Sequence, residues 1–259
     1  MARDKITFTG AFGDSLAARL NWPDDMDKED VRAWVLFAHG FSIGKDLKPV
    51  RTIAKTLVSV GFGMMRFDFT GLGESGGDFS DTNFSSNVKD ILGAAAYLRE
   101  HKKAPAILIG HSFGGTAALM AAQDLPECKA VATIGSPCDT RHIVHQFADQ
   151  LEEIERDGEA QVFLAGRPFV IKEQFLDDIN NQDMGKAIAN LRRALMVFHS
   201  PQDKVVDIEN ASHIYSKARH PKSFVSLDKA DHLLLRNPRD AAYIARVLAA
   251  WSRRYIEAV

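Results

Sequence analysis

Cysteine is almost missing from this chain, with two thiols, Cys128 and Cys138, in 259 residues. Two cysteines cannot staple a fold of this length, so its core must come from apolar burial, and free thiols in a reducing compartment are expected. An excess of one charge is missing as well. The formal net charge is −2, and the densest basic pairs, Arg192-Arg193 and Arg253-Arg254, read as solvated helix faces rather than a nucleic-acid footprint. No apolar run approaches the length of a membrane span, and Met1 to Phe8 carries charges without a long apolar stretch. The expectation is a cytoplasmic protein with neither a nucleic-acid nor a membrane partner; a homodimer is left open.

What is present is ordinary for a folded protein, with 46% hydrophobic and 25% charged residues. One domain is the default for an α/β chain of this size. Ile6–Thr9 and Leu16–Leu20 read as a strand pair turning at Phe12-Gly13-Asp14. Short continuous apolar runs at Ala33–Ala38, Gly63–Phe67, Ala106–Ile109, Ala130–Ile134, Ala194–Phe198 and Ser223–Leu227 read as strands buried on both faces. Helical patterns lie between them, at Leu47–Val60, Asn83–His101, Thr116–Ala122, Ile208–Ala218 and Asp240–Tyr255. Strand and helix alternate, so the fold class is α/β: a mostly parallel sheet with helices on both faces.

Residues 136–190 break that alternation and are too long for a simple connection. A helix over Arg141–Arg156, a β-hairpin (Gln161–Leu164 and Phe169–Ile171, turning at Ala165–Pro168) and a helical start at Phe175–Ile179 are expected there. This segment is read as a small cap on a core made of residues 1–135 and 191–259.

Chemistry concentrates at Gly110-His111-Ser112-Phe113-Gly114. A serine on a sharp strand-to-helix turn is pushed clear of the sheet, where a histidine can reach its hydroxyl. Sites in open α/β sheets form beyond the carboxyl ends of strands. Of nine histidines, His232 stands just after the last strand, and Asp203 follows the strand before it. Ser112, Asp203 and His232 are therefore the expected nucleophile, orienting acid and general base. Asp139 is the runner-up acid, Asp207 reads as a helix cap, and Asp231 is disfavoured because its neighbour must point elsewhere. His39 and His111 are assigned to packing or shaping the site, with His199 a weaker rival base. Backbone N–H groups of Phe41 and Phe113 are the expected oxyanion donors. Phe41, Phe113, Cys138 and Phe163 are the candidate substrate-lining residues. His142 and His145 lack a third ligand, and the loop Gly71–Gly77 lacks the ending of a phosphate-binding loop. No metal and no cofactor are expected.

His39-Gly40-Phe41, Arg66–Ser75, Gly110–Gly115 and Ala230-Asp231-His232 together resemble motifs of the α/β-hydrolase superfamily. Within it the chain is similar to bacterial serine carboxylesterases, particularly the hydrolase half of proteins that carry an OsmC-like domain. Phe84–Val88 and the hairpin add to that likeness. As the chain stops at Val259, no second domain is expected. A looser similarity is to cinnamoyl (feruloyl) esterases. The resemblance implies the same triad and oxyanion donors. It disfavours dehalogenases, which have aspartate at the Ser112 position, and dienelactone hydrolases, which usually have cysteine. The expected function is hydrolysis of small acyl or aromatic-acid esters through an acyl-enzyme. A thioesterase or lactonase with this triad is the alternative, and a non-catalytic small-molecule receptor is the alternative outside enzymes.

Overall fold

A computed structural model describes residues 1–27 and 31–256. Its centre is an eight-stranded sheet. Strand β1 (Ala2–Thr9) pairs antiparallel with β2 (Ser15–Trp22), which pairs antiparallel with β4 (Gly63–Phe67). Strands β3 (Trp34–Ala38), β5 (Pro105–His111), β6 (Ala130–Ile134), β9 (Ala194–His199) and β10 (Lys222–Ser226) complete it, all parallel to their neighbours. The order across the sheet is β1-β2-β4-β3-β5-β6-β9-β10.

Successive side chains of a strand point to opposite faces, and here each face has its own core. Val35, Phe37, Ile107 and Ile109 pack against Ile53 and Leu57 of helix α1 (Lys48–Val58) and Ile244 and Leu248 of helix α8 (Pro238–Ile256). Leu36, Leu108 and Val131 pack with Ile91 and Leu98 of helix α2 (Phe84–His101) and Ala117 of helix α3 (Phe113–Ala121). Burial on both sides explains why these strands read as continuous apolar runs. Each such leucine or isoleucine contributes roughly 1.5–3 kcal/mol. Helix ends follow local chemistry: Asn83 and Ser86 form a reciprocal capping box at the start of α2. Helix α7 (Glu209–Lys217) covers β9.

Residues between β6 and β9 add nothing to the large sheet. They form two short 3-10 turns (Thr140–Gln146 and Ala148–Gln150), helix α4 (Leu151–Asp157), the hairpin β7 (Glu159–Leu164) and β8 (Arg167–Lys172), helix α5 (Glu173–Asn180) and helix α6 (Met184–Ala189). Several details differ from expectation. The helix expected over 141–156 is broken at Phe147, whose φ of −143° leaves the helical region and whose buried ring meets Phe175 at 6.2 Å. The hairpin turn is only Ala165-Gly166, with φ of +50° and +75°, so Arg167 and Pro168 pair back with Leu164 and Phe163. Arg192-Arg193 lies in the link from α6 to β9, not on a helix, and Arg193 donates to the Leu125 carbonyl. Helix α6 was not anticipated. Asp203 and His232 follow β9 and β10, while Ser112 follows β5 at mid-sheet. The core limit expected at 259 lies outside the described residues. Among the described residues no helix is long and apolar enough to cross a membrane, and Cys128 and Cys138 are free thiols.

Candidate active site

Ser112 sits between the end of β5 and the first residue of α3 with φ +51° and ψ −130°. A non-glycine residue holds that conformation only where its surroundings enforce it. Close packing does so here. A Cβ placed on Gly114 would lie 2.1 Å from the His39 carbonyl oxygen, so only glycine lets α3 start against the end of β3.

The hydroxyl of Ser112 meets His232 Nε2 at 3.0 Å, and His232 Nδ1 meets Asp203 Oδ2 at 2.8 Å. A carboxylate only accepts, so Nδ1–H donates to Asp203, Nε2 carries the lone pair, and the serine hydroxyl donates to it. The other oxygen, Asp203 Oδ1, accepts from the N–H groups of Val205 and Val206 at 2.9 and 3.0 Å. Burial pushes the Asp203 carboxyl up, but the His232 contact and the backbone donors outweigh it and hold it below the usual carboxylate range. Gly135, at φ +54°, lies behind this pair; a Cβ there would stand 3.1 Å from Asp203 Oδ2 and 3.4 Å from His232 Nδ1.

Two further histidines brace the loops that carry these groups. His111 Nε2–H donates to the main-chain carbonyl of His232 at 2.8 Å, and His199 Nε2–H donates to that of Val206 at 2.8 Å. Burial pushes both imidazoles down, His111 to about 3. Both are therefore neutral, and each spends its N–H on a carbonyl rather than on a substrate. His39 is similar: Nδ1–H donates to the Gly40 carbonyl at 2.8 Å, Nε2 accepts from the Phe69 N–H at 3.4 Å, and burial lowers its pKa.

Comparison with known proteins gives the family. A solved esterase domain from a Rhodothermus marinus protein shares 45% identity, with 99% of this chain and 100% of that chain covered and a TM-score of 0.80. The chain belongs to the α/β-hydrolase superfamily. A family profile described as serine aminopeptidase, S33, matches residues 29–157. Rat mitochondrial palmitoyl-protein thioesterase ABHD10 is 33% identical over 129 residues, a match that covers 48% of this chain and 42% of the rat protein. The mouse counterpart is 26% identical over 182 residues, covering 67% and 60%. The chain thus spans about half the length of these curated relatives. Est1E from Butyrivibrio proteoclasticus, solved with ferulic acid, superposes with a TM-score of 0.79 over 98% of this chain and 100% of that chain; at 18% identity it shows the shared fold alone.

In this α/β hydrolase the expected oxyanion donors fall on the loop after β3 and at the start of α3. Phe113 is the first residue of α3, where a backbone N–H has no partner within the helix. Phe41 follows His39-Gly40, and its ring lies 5.6 Å from that of Phe113 and 5.3 and 5.6 Å from those of Phe79 and Phe175. Cys138 lies half-buried after β6. Its N–H donates to Asn210 Oδ1 at 3.0 Å, and burial pushes its thiol pKa up. Phe163 is a correction: it is 69% exposed, because Val162 and Leu164 on either side take the buried face of the hairpin.

The rival groups have other partners. Asp139 holds Arg141 through both oxygens, at 3.0 and 2.9 Å. Asp231 accepts from the Leu235 and Arg236 N–H groups, and Asp207 from that of Glu209. His142 and His145 stack edge-on at 5.4 Å, and among the described residues no group of three or more metal-ligating side chains assembles.

Sequence reasoning missed the buried ionic anchor of the oxyanion loop. Lys45, 2% exposed, places Nζ 2.5 Å from Asp68 Oδ2 and 2.7 Å from Glu74 Oε2, while Asp68 Oδ1 accepts the Lys45 N–H at 2.7 Å. Burial pulls the Lys45 pKa down, but its acidic partners outweigh that and raise it. In the sequence the anchor's parts are far apart: Lys45 stands in Gly44-Lys45-Asp46, while Asp68 and Glu74 lie in the glycine-rich stretch after β4.

Proposed function

We propose that the chain is a serine carboxylesterase acting on small acyl or aromatic-acid esters. The observation that carries this reading is the unbroken line from Ser112 Oγ through His232 to Asp203. His232 Nε2 takes the hydroxyl proton as Ser112 Oγ attacks the ester carbonyl. The N–H groups of Phe41 and Phe113 receive the oxyanion, and Asp203 steadies the imidazolium through Nδ1–H. Protonated His232 then gives its proton to the leaving alcohol, which departs to leave an acyl-enzyme. Water, deprotonated by the same Nε2, attacks the acyl carbonyl, and His232 returns that proton to the departing Ser112 Oγ as the acid is freed. The rings of Phe41, Phe79, Phe113 and Phe175 fill the space beside the oxyanion loop, which supports small acids over long acyl chains. A cytoplasmic location fits the free thiols.

Thioester hydrolysis is the second reading, favoured by the likeness to palmitoyl-protein thioesterase ABHD10. Hydrolysis of p-nitrophenyl acetate and butyrate, beside acetyl and palmitoyl thioesters, tests both. Activity on short esters that Ser112→Ala abolishes is the expected result. Inactivity of the wild type on every ester would end the esterase reading, and a strong preference for the palmitoyl thioester would replace it with the second.

A further inference from the structure

The cap hairpin hydrogen-bonds to the oxyanion loop through Arg167. Arg167, the first residue of β8, donates from its guanidinium to the main-chain carbonyl of Ser42, the residue after the proposed donor Phe41. Ser42 is buried and has φ +59°, again a backbone conformation that a non-glycine residue adopts only under constraint. It is the third residue of a tight turn closed by Ile43 N–H to the Gly40 carbonyl at 3.4 Å, a position that ordinarily selects glycine when φ is positive.

The arginine is itself held in place. Its guanidinium carbon lies 5.3 Å from the centre of the Phe169 ring, two residues along the same strand. Phe169 packs on Phe79 at 4.6 Å between ring centres, and Phe79 packs on Phe41 at 5.3 Å. The hairpin therefore touches the oxyanion loop by a polar route to Ser42 and by a ring-to-ring route to Phe41. The cap's other polar ties run elsewhere: Lys172 to Asp81, Gln174 to Thr82 and Asp178 to Ser85.

We propose that Arg167 is a positioning residue that clasps the Ser42 carbonyl and so holds the oxyanion loop in its strained, reaction-ready turn. This rests on the esterase reading for its catalytic consequence, but the clasp itself is a statement about backbone conformation. Arg167 does not touch the reacting atoms; it acts through the turn that presents the Phe41 N–H. Without the clasp, Ser42 relaxes toward negative φ and the donor leaves its place. A glycine at position 42 accepts positive φ without cost and makes the clasp dispensable.

The test compares wild type, Arg167→Met, Ser42→Gly/Arg167→Met and Ser112→Ala by ester kinetics and by amide hydrogen exchange over residues 40–46. Methionine keeps an unbranched stem and removes the guanidinium, with its donors and its place over Phe169. Arg167→Met is expected to lower kcat about tenfold with KM within about threefold, the pattern of lost transition-state stabilisation, and to speed exchange in 40–46. Adding Ser42→Gly is expected to bring both back toward wild type. Unchanged exchange and kcat in Arg167→Met would overturn the clasp. So would a loss expressed in KM, or one that Ser42→Gly leaves in place, since either makes Arg167 a substrate contact. Wild-type inactivity, or a rate that survives Ser112→Ala, ends the esterase reading instead, and exchange over 40–46 still decides the clasp.

Discussion

His111 donates its Nε2–H to the main-chain carbonyl of His232. A residue one position before the proposed nucleophile thus holds the backbone of the proposed base, 121 residues further along the chain. The two rings lie 5.0 Å apart, so any shift of the His232 loop is felt at the serine turn.

Replacing His111 by alanine removes the donor to a part-buried carbonyl, which costs about 1 kcal/mol, and frees the His232 loop. The expected result is a melting temperature lowered by several degrees together with about a tenfold fall in kcat/KM on p-nitrophenyl butyrate. Calorimetry and steady-state kinetics on one preparation check both. Lost stability with an intact rate would separate the two roles.

The acid assignment makes a sharper contrast. Asp203→Asn removes the carboxylate that fixes the His232 tautomer, and kcat should fall roughly 10⁴-fold, the scale for an orienting carboxylate turned amide in a serine triad. Asp139→Asn breaks only a half-exposed pair with Arg141, and its rate should stay within about twofold of wild type, since exposed pairs contribute little. A reversal of that order in side-by-side kinetics would move the acid to Asp139.

Acid should destabilise the protein well above the carboxylate range. The folded pKa of His111 is about 3 against an ordinary 6.5, so between those values the unfolded chain takes a proton that the folded one refuses. Its contribution is complete above pH 6.5 and is lost as pH falls toward 3, at up to about 1.4 kcal/mol per pH unit. His39 and His199 add in the same direction. Urea midpoints should stay level from pH 8 to about 6.5 and decline from there to pH 4, and His111→Gln should show a shallower decline by about one proton. Parallel curves for the two proteins would contradict the neutral assignment.

Gly114→Ala tests the close approach of α3 to the end of β3. The new methyl would sit 2.1 and 2.6 Å from the His39 and Ala38 carbonyl oxygens, and main chain cannot rotate away as a side chain can. About 3 kcal/mol of destabilisation is expected by chemical unfolding, the upper end for overpacking. Activity should fall further than stability alone explains, because the displaced strand end leads into the oxyanion loop.

Much of this arrangement was legible in the sequence, for identifiable reasons. Gly63–Phe67 and Ala130–Ile134 are strands to the residue because burial on both faces leaves an uninterrupted apolar run with clear ends. The structure brings Ser112, Asp203 and His232 together, as their places after three strands imply, since strand ends on one side of a parallel sheet converge. Lys45, Asp68 and Glu74 were not legible as an anchor: a buried Lys45–Asp68 pair joined at its exposed end by Glu74 reads, residue by residue, as solvated charge. Phe163 was misplaced because Val162, Phe163 and Leu164 are all apolar, so the phase of the hairpin's alternation cannot be taken from composition. The break at Phe147 is likewise a tertiary effect, set by Phe175 on a helix that comes later in the chain.

The separation between Ser112 and His232, 120 residues, also orders events during synthesis. A growing chain displays its serine while the histidine has yet to be added. At about 5–20 residues per second that interval is on the order of ten seconds. Throughout it the proposed nucleophile has no base beside it. On the proposed mechanism, reactivity arrives late, when β9 and β10 dock on the sheet and bring their loops to it, so a truncated or stalled product is born silent rather than indiscriminate.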